Sequence, residues 1–155
     1  MAWTRTEQFH ITVRFLGEQD STTCERIGST LGKALQLPPV AMRGVGTGLL
    51  PERGMRRVIV VYFTLLADDL RILHAIEDVC VAAGMEREKR LPLLHATMGR
   101  LRPPRRMDPA PVFASTRDQF PGPEFMLDRV TLFESILLPG GAEHKKLAEY
   151  AVAAS

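Results

Sequence analysis

The chain has 155 residues, the length of one ordinary domain that buries its own core without disulfide or metal staples. Its 45% apolar and 25% charged residues exclude disorder, collagen-like repeats and coiled coil as its organising principle. Twenty Lys plus Arg against 18 Asp plus Glu leave a net charge of +2, which points to no nucleic-acid partner by itself. Sixteen of those cations are arginine, the cation suited to bidentate phosphate contacts. No apolar run approaches 18 residues and the first residues hold no apolar signal core. The expectation is therefore a cytoplasmic protein without a membrane partner. Cys24 and Cys80 lie in helical patterns and read as buried thiols.

In chain order, residues 9–16 alternate and are rich in β-formers, which predicts a strand. Asp20, Ser21 and Thr22 offer caps, Thr22 with Glu25 forming a capping-box pattern. Cys24, Ile27, Leu31 and Leu35 then mark one face of a helix that Pro38 and Pro39 end. The glycine-punctuated residues 40–51 predict a short strand and a turn. Residues 57–66 are a near-continuous apolar run, the pattern of a central strand covered on both faces. Asp68 and Asp69 open a second helix with Leu70, Leu73, Ile76, Cys80 and Ala83 on one face, and Gly84 stops it. Residues 91–101 predict a strand, and residues 102–111, with four prolines and three arginines, a loop. Residues 124–138 alternate again, then Pro139, Gly140 and Gly141 turn the chain into a short C-terminal element. Strand–helix in the first half is echoed by helix–strand in the second, which predicts a single two-lobed domain over residues 1–155.

Each half carries one similar tetrapeptide, His10-Ile11-Thr12-Val13 and His95-Ala96-Thr97-Met98. On a strand, a His and a Thr two residues on share one face. Four His and 11 Thr in this chain give about 0.3 His-x-Thr pairs by chance, and two are present. Either motif alone is equally well a satisfied core pair. Two together suit phosphoester cleavage without a metal: one histidine as base, the other as acid, and two hydroxyls donating to phosphate oxygens. Arginines add charge stabilisation. Arg14, four residues after His10, lies on the histidine's face. Arg100, five after His95, lies on the opposite face unless the strand bulges. A zinc site from His10 and His95 lacks a carboxylate or thiol at ligand spacing, so no metal or other cofactor is expected. His74 reads as helix surface, and His144 beside Lys145 and Lys146 as a solvated cluster. The glycines at 44, 46 and 48 read as turn residues.

At these residues the sequence resembles the 2H phosphoesterase superfamily, and within it the RNA 2′,3′-cyclic phosphodiesterase (2′-5′ RNA ligase, LigT-like) family. The likeness extends through Phe15-Leu16-Gly17-Glu18 after the first motif and Gly99-Arg100 after the second. It includes Arg57-Val58-Ile59-Val60 and Leu132-Phe133-Glu134-Ser135 with the turn that follows, and covers about residues 3–141. The resemblance implies a bilobal α+β fold of two antiparallel sheets with flanking helices and a central cleft. It implies hydrolysis of 2′,3′-cyclic phosphate RNA ends or nucleoside 2′,3′-cyclic phosphates to 2′-phosphates, weak 2′-5′ RNA ligation in some members, and no metal. His10 and His95 would be catalytic, and Thr12, Thr97, Arg100 and, less directly, Arg14 would bind phosphate. Family members usually carry a strand and a helix before the first motif, whereas only nine residues precede His10. A shortened, non-catalytic or weakly catalytic module that binds nucleotide or RNA phosphate is therefore the alternative reading, and a homodimer through an exposed sheet edge is a possible consequence.

Overall fold

A computed structural model describes residues 1–139 and 141–154; Gly140 of the expected late turn lies outside the described residues. In chain order the elements are β1 (Ala2–Trp3), α1 (Ser21–Ala34), β2 (Val40–Leu50), β3 (Arg56–Leu65), α2 (Arg71–Ala82) and β4 (His95–Arg105). Then follow α3 (Ala110–Thr116), β5 (Phe125–Leu127), β6 (Arg129–Leu138) and β7 (Gly141–Ala151). This is the expected α+β class with antiparallel pairing. The chain packs into two compact units. One comprises Met1–Val13, Met42–Leu66 and Pro92–Phe125, the other Arg14–Ala41, Ala67–Leu91 and Met126–Ser155.

The first unit is built on a five-stranded sheet of order β1-β4-β3-β2-β5. The apolar run predicted to be a central strand is β3, flanked by β4 and β2, and Val60 on it is fully buried. Cross-strand partners share a face, so the register assigns side chains to two sides. One side carries Met42, Gly44, Thr47, Val61, Phe63 and Ala96. Helix α3 covers part of it: the Thr116 hydroxyl lies 2.6 Å from that of the buried Thr47. Phe120 lies over Gly44, and Phe125 meets Phe63 edge to face at 5.7 Å. The other side carries Gly46 and Gly48 on β2, Val60 and Tyr62 on β3, and His95, Thr97 and Arg100 on β4.

The second unit packs α1 on α2 and on β7. Ile27, Leu31 and Leu35 on one side and Leu73, Ile76, Cys80 and Ala83 on the other are buried, as their helical spacing predicted, and Ile72 and Val79 are buried beside them. The Tyr150 hydroxyl of β7 donates to the Gly28 carbonyl at 2.9 Å, and its ring rests on Gly32. Helix α1 is capped by Asp20, whose carboxylate accepts from Thr23 N–H at 2.7 Å, instead of through the Thr22–Glu25 box. Helix α2 ends before Gly84, whose φ of +103° suits only glycine. Exposed His74 lies on its surface as expected.

Several sequence expectations are corrected. Residues 9–16 form no strand. The chain pairs Ala2 and Trp3 with Arg100 and Gly99 of β4, adds one bond from Thr4 N–H to the Met98 carbonyl, then leaves the sheet through a 3-10 turn at Thr6–Gln8. Alternation without a partner edge makes no ladder. The glycines at 44, 46 and 48 sit inside β2 rather than in a turn; Phe120 lies over Gly44, and Tyr62 occupies the space a side chain at Gly48 would fill. Strand β4 continues through the proline-rich stretch to Arg105. Residues 124–138 divide into two strands belonging to different sheets, and the C-terminal element is the full 11-residue partner of β6.

Candidate functional site

The second His-x-Thr motif lies at the start of β4, opposite β3. His95 pairs with Tyr62, Ala96 with Val61 and Thr97 with Val60. The next pair is Gly99 with Ile59, so Met98 is an extra residue, a β-bulge. The bulge shifts the alternation by one, and Arg100 comes opposite Val58. His95, Thr97 and Arg100 therefore point to the same side of the sheet. Burial follows the same phase: Ala96, Gly99 and Leu101 are buried on the far side while Arg100 is exposed. A Cβ at Gly99 would lie 2.9 Å from the Trp3 ring and 3.2 Å from the Ala2 carbonyl oxygen, so a side chain there would push on β1.

The first motif belongs to the same compact unit, on the irregular segment that follows the 3-10 turn. The two histidines are held alike. Nδ1 of His10 lies 2.9 Å from the Gln8 carbonyl oxygen, and Nδ1 of His95 lies 2.7 Å from that of Leu93. A carbonyl only accepts, so each Nδ1 carries the proton and donates it two residues back. In the neutral ring the basic nitrogen is then Nε2. One backbone contact thus sets both tautomer and ring orientation in both motifs. Thr12 is exposed and Thr97 half-buried.

Arg14 is placed differently. It belongs to the second unit, where Nε and Nη2 bind the Glu77 carboxylate at 2.8 and 3.4 Å. Nη1 donates to the Phe15 carbonyl and to Glu88 at 2.8 and 3.0 Å, and Nη2 also to the Glu86 carbonyl at 2.9 Å. These contacts occupy its five donors. Burial pushes the Glu77 carboxyl up, but the Glu88 N–H, the Arg14 hydrogen bond and the Arg14 and Arg87 charges together hold it below its ordinary value. The shared face expected for His10 and Arg14 does not arise, because residues 9–17 form no strand.

A model of the family described as LigT like Phosphoesterase matches residues 1–60. Among solved structures the chain is similar to the TT0787 protein of Thermus thermophilus, with TM-score 0.73 and 24% identity over 97% of this chain and 81% of that one. It is also similar to a phosphoesterase at TM-score 0.69 and 15% identity, over 98% and 81%. A third is Escherichia coli LigT complexed with 3′-AMP, at TM-score 0.66 and 15% identity, over 97% and 80%. The fold is that of the LigT-like phosphoesterases. A comparison with curated proteins finds no match.

On this LigT-like fold the register adds a residue that pattern reading missed. Tyr62 stands directly opposite His95, and its phenol end lies against Gly48, where a Cβ would come 2.8 Å from the hydroxyl oxygen. Desolvation and the nearby Glu52 charge push the Tyr62 phenol above its ordinary value, against a smaller opposing effect of Arg56. The available signal was the glycine alternation at 46 and 48, which leaves room for a large cross-strand neighbour. Among the described residues no group of three His, Cys, Asp or Glu side chains gathers as a metal site, and no helix is long and apolar enough to cross a membrane.

Proposed function

We propose that this chain is a LigT-like phosphoesterase that opens 2′,3′-cyclic phosphates, on RNA ends or nucleosides, to 2′-phosphates without a metal. The observation that carries this reading is the Met98 bulge, which gives His95, Thr97 and Arg100 a common side. A base or acid, a hydroxyl donor and a guanidinium there address one phosphate. The matching Nδ1 contacts of His10 and His95 support equivalent roles for the two rings. The family match over residues 1–60 contains the first motif, and nucleotide binding by LigT of the same fold favours a nucleotide phosphate.

In the proposed reaction one histidine, through Nε2, takes a proton from water as the water oxygen attacks phosphorus. The bond from phosphorus to the ribose 3′-oxygen breaks. The other histidine, protonated at both nitrogens, gives its Nε2 proton to that oxygen. Thr12 and Thr97 donate to the non-bridging oxygens, and Arg100 stabilises the charge that grows on them. With a 5′-hydroxyl replacing water, the same steps join two RNA ends by a 2′-5′ bond. Arg14, whose donors serve Glu77, Glu88 and two carbonyls, is assigned to holding the segment after the first motif.

The test is hydrolysis of a dinucleotide 2′,3′-cyclic phosphate in EDTA. Turnover to the 2′-phosphate supports the enzyme. Binding of the dinucleotide without turnover overturns it in favour of a phosphate-binding module.

A further inference from the structure

We infer that Tyr62 is the platform for the nucleobase of the substrate, and that the site accepts all four bases. The inference rests on the phosphate position proposed above, beside His95, Thr97 and Arg100. Of the two strands beside β4, β1 offers only Ala2 opposite Arg100, whereas β3 offers Tyr62 opposite His95, so a nucleoside extending over β3 from that phosphate meets Tyr62. Directly paired side chains stand about 5 Å apart at Cβ, so the Tyr62 and His95 side chains rise from the sheet as neighbours. On the next strand Tyr62 pairs with Gly46, and Gly48 takes the phenol end. A Cβ at Gly46 would meet nothing within 4 Å, so space is open beside the ring there, and the ring itself stays half-exposed.

The surroundings of this ring determine what it reads. Gly46 and Gly48 carry no side chain, and Val60 is apolar and fully buried. None of these three offers a side-chain donor or acceptor to a base edge, and the nearby charges of Glu52 and Arg56 act on the phenol oxygen. Stacking on an aromatic ring uses the π-face that every base possesses and does not discriminate among them. Adenine, guanine, cytosine and uracil are therefore all accepted, purines more tightly in proportion to their stacking area.

The test compares binding of the four 2′-mononucleotides with that of inorganic phosphate, and the KM of the four nucleoside 2′,3′-cyclic phosphates. Wild type binds each 2′-mononucleotide at least about tenfold more tightly than phosphate. Tyr62→Phe, which keeps the ring, retains that ratio. Tyr62→Leu brings it close to one for all four bases, raising KM at least about fivefold with kcat within about twofold. Gly48→Ala, whose methyl displaces the phenol, behaves like Tyr62→Leu and provides an independent variant. Thermal unfolding of each variant establishes that it is folded. An unchanged ratio in folded Tyr62→Leu and Gly48→Ala overturns the platform. A loss confined to one base overturns the base-neutral reading. Intact nucleotide binding without turnover in wild type overturns the proposed hydrolysis instead, leaving the platform standing.

Discussion

Arg14 and Glu77 face each other at 2.8 Å from Nε to Oε2, with side chains only 8% and 14% exposed. Sixty-three positions separate them in sequence. The pair ties the segment two residues beyond Thr12 to helix α2, and Glu77 also accepts the Glu88 N–H at 2.7 Å. Removing one member leaves a charge with little access to water.

Arg14→Ala is expected to lower the unfolding free energy by about 3 kcal/mol, the usual cost of breaking an enclosed pair from one side. Arg14→Lys recovers part of this, since an ammonium cannot form the bidentate contact. Urea unfolding monitored by circular dichroism measures both. An Arg14→Ala midpoint equal to wild type would show that the pair contributes no stability.

The same pair makes stability depend on acid. Glu77 is held below its ordinary value of 4.5 in the folded chain. Its contribution is complete above that value and is lost as pH falls through the lower, folded one. Wild type should lose more stability than Glu77→Gln between neutral pH and the acid range. Parallel pH–stability curves for the two proteins would contradict this sign.

His10→Ala and His95→Ala should each lower turnover of a 2′,3′-cyclic substrate by about 10²–10⁴, the worth of one positioned acid or base, with little change in folding. Steady-state kinetics beside thermal unfolding separates the two effects. Near wild-type turnover in either variant excludes the two-histidine mechanism.

Thr12→Val and Thr97→Val remove one hydroxyl at nearly constant shape. Each should weaken binding of a 2′-nucleotide by about 1–3 kcal/mol, measured by calorimetry. Arg100→Ala should lower turnover by about 10²-fold, the scale of one lost stabiliser of developing charge. Full activity of Arg100→Ala would mean that the Met98 bulge serves packing alone.

Turnover should follow a bell-shaped pH profile, because one histidine acts neutral and the other protonated, and EDTA should leave it unchanged. Activity lost in chelator and restored by zinc would overturn the metal-free mechanism.

Helices α1 and α2 were legible from the sequence by itself, whereas α3 begins inside the stretch read as a loop. Ile27, Leu31, Leu73 and Ile76 announce their buried faces, and Asp20 and Gly84 mark ends, because helical hydrogen bonds and caps close within a few residues of chain. The paired His-x-Thr motifs were equally visible, since the chemical groups are present whatever surrounds them. Strand pairing was not legible in the same way. Residues 9–16 alternate as a strand does, yet Ala2, Trp3 and Thr4 meet β4 instead, and the chain turns away after them. Gly46 and Gly48 read as turn residues until Tyr62 is seen to fill the space above Gly48. Arg100 reaches the side of His95 through a one-residue bulge that only the ladder with β3 creates. Arg14 carries every feature of a phosphate ligand in sequence, and only the fold brings Glu77 to it. A strand's hydrogen bonds and an ion pair are both completed by residues distant in the chain, so tertiary structure alone decides which way those side chains face and what they hold.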